Sequence, residues 1–209
     1  MLSPHDFFVQ NVDSCELETI EEKIAASYDK LEKLKAPIMD RTFCLAPFDG
    51  GIYRAQIIRK KKDNLYDVQF IDYGNKDTIP VSELFKTPPA VATYKPQAIR
   101  CSLAYVECAP EGHDLFQSSL NVAMKLCWEQ KLVIHTVSKD DEYHYVVIQP
   151  FNKPEMSCSL NYTLIEMALA RVSPWVPPKG SLLEELTDVY NTATDKNGLI
   201  LTVFDGDNE

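Results

Sequence analysis

Short apolar runs alternate with polar residues through the segment 43–80, and polar turn residues divide the runs. The pattern predicts four strands, over 43–47, 52–59, 65–71 and 76–79. Between them stand Asp49-Gly50-Gly51, the basic turn Lys60-Lys61-Lys62-Asp63-Asn64, and Asp72-Tyr73-Gly74-Asn75. Val, Ile, Phe and Tyr fill the runs while Gly, Asp and Asn sit between them, as hairpins require. The expected result is a small, strongly bent antiparallel sheet or barrel.

The periodicity changes on both sides. An opening strand over 6–11 precedes a stripe formed by Leu17, Ile20, Ile24, Tyr28, Leu31 and Leu34. Steps of three and four predict one amphipathic helix over 13–36. Asp13 and Glu16 form a candidate capping box, and Pro37 stops the helix. After the strands come a helical turn over 81–85 and the stiff Thr87-Pro88-Pro89. The pattern then gives a strand over 98–106, and a helix over 114–130 with Leu115, Leu120, Met124 and Trp128 inward. A hairpin of 132–137 with 143–149 follows, and then a helix capped by Ser159 or Asn161 and running to 170. A Pro-rich stretch over 172–178, a helix from Ser181 with Glu184 in a capping box, a strand over 199–204 without an assigned partner and a frayed end complete the chain. The fold class is α+β, mainly β with helices.

Composition narrows the function. The 209 residues carry a formal net charge of −10. Such a chain gains nothing from counterion release, which argues against duplex binding as its main role. An acidic surface attracts Arg-rich peptides, although acidity also serves solubility alone. No apolar run has the length of a membrane span, and no signal peptide opens the sequence, so no membrane partner is expected. The six Cys lack CxxC spacing and sit mostly in apolar elements, which implies reduced, buried thiols in an intracellular protein. The four His are scattered, so no metal is expected, and nothing implies a cofactor.

Aromatic residues border the turns. Phe48 and Tyr53 flank the first, and Phe70 and Tyr73 flank the Ile71-Asp72 corner, with Asn75 after it. Chain reversals bring both pairs to one end of the sheet. Rings around one opening suit a cation of spread, poorly hydrated charge, at about 0.5–1 kcal/mol per exposed ring contact. Asn75 adds an amide that fixes orientation. For any one ring the core reading is the stronger. The set reverses the balance, because four strands end in Phe70-Ile71-Asp72-Tyr73-Gly74-Asn75.

Those residues, with Cys44-Leu45-Ala46 and Tyr53-Arg54-Ala55, resemble a Tudor domain, and the flanks resemble the split nuclease-like barrel of an extended Tudor domain. The resemblance implies a Tudor β-barrel over 38–86 inserted into a nuclease-like OB-fold lobe of 3–12 plus 96–178. The two would be joined by the long helix over 13–36, with 181–209 as a C-terminal helix and tail of one composite domain. Phe48, Tyr53, Phe70 and Tyr73 match the cage aromatics of that family, and Asn75 matches its cage asparagine. The loop from Phe48 to Tyr53 is a residue shorter than in many members, Ile52 stands where Trp is common, and members usually carry a strand before the opening one. The family reads symmetrically dimethylated arginine in Arg-Gly or Arg-Ala repeats, often in the tails of Piwi-class proteins. It therefore implies a monomeric scaffold module in a cytoplasmic ribonucleoprotein granule, serving small-RNA silencing. Flanking peptide is expected between the two lobes.

Two other readings stay open. One is a methylation-independent interaction module with a vestigial cage. The other is an RNA-binding or nuclease-like lobe, supported weakly by Arg59-Lys60-Lys61-Lys62. For hydrolysis the candidate carboxylates are Glu107, Glu111 and Asp114, with Arg100 the one arginine nearby. No phosphate loop or nucleophile–base motif accompanies them. No catalytic residue is assigned, and the expectation is a binding protein and not an enzyme.

Overall fold

The structure, a computed structural model, describes residues 3–35, 37–127, 130–153 and 155–173. The expectations for Trp128, for 174–178, for the helix from Ser181 and for the strand over 199–204 lie outside those residues. The described chain is α+β, as the pattern predicts. In order it runs β1 (Phe7–Val9), α1 (Glu16–Ala26), β2 (Phe43–Phe48), β3 (Gly51–Lys60), β4 (Leu65–Phe70), β5 (Lys76–Pro80), β6 (Phe85–Lys86) and α2 (Pro89–Ala92). It continues with β7 (Ile99–Leu103), β8 (Val106–Cys108), α3 (Asp114–Cys127), β9 (Leu132–Lys139), β10 (His144–Pro150), α4 (Leu160–Glu166) and β11 (Ala170–Val172). The described residues fall into two compact units, one of Phe8–Ile99 and one of residues 3–7 with 100–173.

The first unit holds a five-stranded sheet in the order β5-β4-β3-β2-β6. The four hairpin strands stand where the alternation puts them. Their shared face carries Cys44, Ala46, Ala55, Ile57, Tyr66, Val68 and Phe70, which pack into one buried cluster with Ile79 and Leu84. The other face of β2 is also covered. Leu45 packs with Ile20 and Ile24 of α1 and with Val91 of α2.

The helix over 13–36 is a correction. It begins at Glu16, after Cys15 at the cap position with no side-chain cap bond, so the Asp13–Glu16 box does not form. It ends at Ala26, where the Ser27 hydroxyl donates back to the Lys23 and Ile24 carbonyls. A 3-10 turn follows over Tyr28–Lys30, and Leu31 is extended. The next residues bond with the sheet edge. Leu34 N–H donates to Leu84 O at 2.9 Å, Lys86 N–H donates to Glu32 O at 2.8 Å, and Lys33 forms a bridge with Phe85. Leu31 and Leu34 keep the helical period but satisfy it as an extended segment, because β6 offers a ladder that a helix would forgo. The joining helix is thus short.

The second unit carries most of a four-stranded sheet, β1-β7-β10-β9, in which β7 and β10 run parallel. A two-stranded sheet of β8 with β11 accompanies it. The expected strand over 98–106 is broken at Tyr105, whose φ of 66° turns the chain between β7 and β8. The helix expected to reach 170 ends at Glu166. Ala168 takes φ 57°, and Leu169 N–H donates to Leu164 O at 2.8 Å, a Schellman closure built on Ala instead of Gly. That leaves residues 170–172 free to pair with β8. Ser159 is the cap, accepting from Tyr162 N–H at 3.1 Å. Asn161 is fully buried and ties the backbone together. It donates to Ala104 O and Val146 O and accepts from Ile148 N–H.

The thiols divide. Cys44, Cys101 and Cys108 are buried, whereas Cys15 is exposed, and no disulfide joins any of the described cysteines. Burial pushes Cys44 and Cys108 up to about 12 and Cys101 to about 11. Among the described residues no helix is long and apolar enough to cross a membrane.

Candidate functional site

The candidate rings stand at one end of the sheet's core face. In the β2–β3 ladder Ala46 faces Tyr53 and Phe48 faces Gly51. In the β3–β4 ladder Ala55 faces Phe70. Opposed residues of an antiparallel pair point to one side, so Phe48, Tyr53 and Phe70 continue the layer begun by Cys44, Ile57 and Val68. Ala46 and Ala55 leave room for the larger rings. Gly51 does the same at the rim, since a Cβ there would lie 2.6 Å from Tyr53 Oη.

The rings form a continuous series. Phe48 and Phe70 are 5.2 Å apart between centroids and tilted by 54°. Tyr53 meets Phe70 edge-on at 6.4 Å, and Tyr73 meets Tyr53 edge-on at 5.3 Å. Their exposure differs sharply. Phe70 is 1% exposed, while Phe48 and Tyr73 are 42% and 39% exposed. Tyr53 is half-buried. The core reading therefore holds for Phe70, which forms a floor, and not for the two outer rings. Asn75 is half-buried, its backbone carbonyl accepts from Phe70 N–H at 2.9 Å, and no described residue engages its side-chain amide.

The corner that carries Tyr73 is held from beneath. Asp72 and Arg54, each 2% exposed, pair through two bonds, Nε to Oδ2 at 2.8 Å and Nη2 to Oδ1 at 2.6 Å. Arg54 also donates to the Val91, Tyr94 and Lys95 carbonyls at 2.7–2.9 Å. Asp72 accepts in addition from Gln97 N–H. All three nitrogens of the guanidinium fork thus donate to protein acceptors, as a buried arginine requires. The chain then turns through Gly74, at φ +86°, with its N–H donating to Phe70 O at 2.7 Å. A Cβ on Gly74 would overlap Cγ and Cδ2 of the Phe8 ring.

A residue from outside the sheet reaches the site. The Tyr73 hydroxyl donates to a carboxylate oxygen of Glu21 on α1. Burial, and then this carboxylate, push the Tyr73 phenol well above its ordinary value. Sequence reading does not find Glu21, which is one acid among several on the polar face of its helix. Arg54 and Asp72 do carry a signal, an arginine inside an apolar strand and an acid at a corner, but nothing in the sequence gives it a role.

The other candidates are engaged elsewhere. Arg59 and Lys61 of the basic turn both pair with Asp67, at 2.7 and 2.8 Å. Lys61, Thr78 and Arg59 together hold its carboxyl well below the usual carboxylate range. Glu107 pairs with Arg171 at 2.7 Å. Arg100 pairs with Asp6 at 2.7 Å and lies 4.3 Å from the centroid of the Tyr143 ring. Among the described residues no three His, Cys, Asp or Glu side chains gather as a metal would need.

Known proteins share this arrangement of elements. The sequence model for the Tudor domain matches residues 1–105. Human RING finger protein 17 is 27% identical over 184 residues, which cover 80% of this chain and 11% of that protein. The chain thus spans about a ninth of that relative's length. The extended Tudor domain of Drosophila melanogaster Tudor-SN superposes with a TM-score of 0.78 at 23% identity, covering 93% of this chain and 90% of that one. The human TDRD1 extended Tudor domain, solved in complex with a symmetrically dimethylated peptide, superposes with a TM-score of 0.73 at 22% identity, covering 83% and 86%. The fold is that of an extended Tudor domain.

Proposed function

Since the chain belongs to the Tudor domain family, we propose that Phe48, Tyr53, Phe70, Tyr73 and Asn75 form a cage that reads symmetrically dimethylated arginine. The observation that carries this reading is the graded exposure of one ring series. A buried Phe70 lies beneath it and the exposed Phe48 and Tyr73 stand at its ends. A core-only cluster would bury all its rings. The dimethylated peptide bound by the TDRD1 extended Tudor domain supports the same ligand class.

The chemistry follows from the ligand. Methyl groups strip water from the guanidinium and add apolar area, while its charge stays spread over a plane. Aromatic faces attract such a cation more strongly once it is desolvated, at about 2 kcal/mol per contact. The Asn75 amide, free of described partners, orients the group by one hydrogen bond. The net charge of −10 favours a peptide with further arginines. The proposed partner is an Arg-Gly or Arg-Ala repeat of the kind found in Piwi-class tails. The wider role is a non-catalytic scaffold module in small-RNA silencing, in a cytoplasmic granule, acting as a monomer.

Tyr73 is the best probe, because its exposure separates binding from stability. Tyr73→Ala is expected to weaken binding of a symmetrically dimethylated Arg-Gly peptide by about 1–3 kcal/mol. Calorimetric titration beside a urea unfolding curve checks this. An unchanged midpoint with the affinity lost supports the cage. A collapsed midpoint would make the ring a structural one. Phe70, being core, is a poor probe, since its truncation unfolds as well as unbinds.

A further inference from the structure

We infer that Glu21 is a positioning residue of this site: from α1 it fixes the ring of Tyr73 as the outer wall of the cage. The inference rests on the cage reading above and adds to it a residue from outside the sheet.

The geometry is specific. Tyr73 stands on a corner and is 39% exposed, so packing alone leaves its ring free to swing toward solvent. Two contacts oppose that. Tyr53 meets it edge-on at 5.3 Å. At the far end of the ring the hydroxyl donates to Glu21. Glu21 is itself on a well-anchored helix. Ile20 and Ile24, on either side of it in sequence, are 1% and 3% exposed and pack with Leu45 and Val91. Lys23 of the same helix donates to Tyr94 Oη at 2.6 Å. The helix that carries this exposed carboxylate is therefore anchored, and the ring that the carboxylate meets stands at the corner end of the series.

The bond has an electronic consequence too. A phenol that donates to a carboxylate gains electron density on oxygen and ring, because hydrogen-bonded groups polarise one another. The face of Tyr73 becomes a better partner for a cation. With its proton committed to Glu21, the Tyr73 oxygen is left as an acceptor only. The cage wall thus repels anionic ligands and favours donors and cations.

The test combines a ligand-free and a ligand-bound measurement on the chain as it stands. In the free protein, NMR follows the Tyr73 hydroxyl proton and ring resonances in wild type, Glu21→Gln and Glu21→Ala. Slow hydroxyl exchange and a single ring environment in wild type, lost in Glu21→Ala and kept in Glu21→Gln, establish positioning without any ligand. In titrations with a symmetrically dimethylated Arg-Gly peptide, Glu21→Ala is expected to lose about tenfold in affinity, the lower end for a hydrogen bond to a charged group. Glu21→Gln should recover most of that, and Tyr73→Phe with Glu21→Ala should lose no more than either alone. An unchanged Tyr73 signal in Glu21→Ala, or fully additive losses, overturns the inference. If the Tyr73 signal changes as expected while no variant alters peptide binding, positioning stands and the cage reading is the one that fails.

Discussion

Asp72→Ala is expected to lower the unfolding free energy by about 3–5 kcal/mol, the range for breaking a buried ion pair by removing one partner. The carboxylate and Arg54 are each 2% exposed. Without Asp72 the guanidinium keeps three backbone carbonyls as acceptors, from Val91, Tyr94 and Lys95. It loses its only described counter-charge and both bidentate bonds. Gln97 N–H loses its acceptor as well. Because small domains unfold at about 5–15 kcal/mol, the loss is a large share of the total. Urea unfolding followed by the far-ultraviolet circular dichroism signal gives the shift. Asp72→Asn should fall between, since it keeps the shape and removes the charge. A loss under about 1 kcal/mol for Asp72→Ala would place the pair among the weak, solvated ones. This pair matters for the site because residues 70–75 rest on it.

Gly74→Ala is expected to cost about 2–5 kcal/mol by two additive routes. The left-handed backbone, at φ +86°, costs an ordinary residue about 1–2 kcal/mol. The new methyl would overlap Cγ and Cδ2 of Phe8 and lie 2.6 Å from its Cβ. The ring must then move, an overpacking of about 1–3 kcal/mol. Gly50 supplies the control within the same molecule. Its φ is +80° and nothing lies within 4 Å of its would-be Cβ, so Gly50→Ala should show the backbone cost alone. Pairing Phe8→Ala with Gly74→Ala should remove the steric part, and the double variant should then be less destabilised than the two single losses summed. Equal costs at Gly50 and Gly74 would mean that the Phe8 contact relaxes freely. Gly74 belongs to the same turn as Tyr73 and Asn75, so a displaced corner should also weaken peptide binding.

The strands of the first unit were legible because their determinants are local. Alternation sets the face, and Asp-Gly, Asp-Asn and Tyr-Gly turns set the reversals. The same alternation makes the ring series readable. Phe48, Tyr53 and Phe70 sit on the core face by parity, and the end of the strand decides which of them stays uncovered. Elements fixed by distant partners were not legible. Leu31 and Leu34 keep a helical period, yet β6 recruits their segment as an extended edge. β6 is only two residues long and has no pattern of its own. The stop at Ala168 carries no Gly, so the pairing of β11 with β8 stayed hidden. At the site, Arg54 and Asp72 are 18 residues apart and Tyr73 and Glu21 are 52 apart. The β3–β4 ladder sets Arg54 beside the corner that carries Asp72, with Ile71 N–H donating to Arg54 O, yet nothing in the strand pattern gives the pair its role. No local rule links Tyr73 to Glu21, whose helix is held by the packing of Ile20 and Ile24 with Leu45 and Val91.

The central claim is that the ring series selects a methylated cation. Calorimetric titration with one Arg-Gly repeat peptide, in unmethylated, asymmetrically dimethylated and symmetrically dimethylated forms, puts that claim to the test. The account predicts tightest binding of the symmetric form, a weaker asymmetric form and the weakest binding without methylation. Equal affinity for all three would contradict it, and would leave a peptide-binding module whose rings take no part in reading the mark.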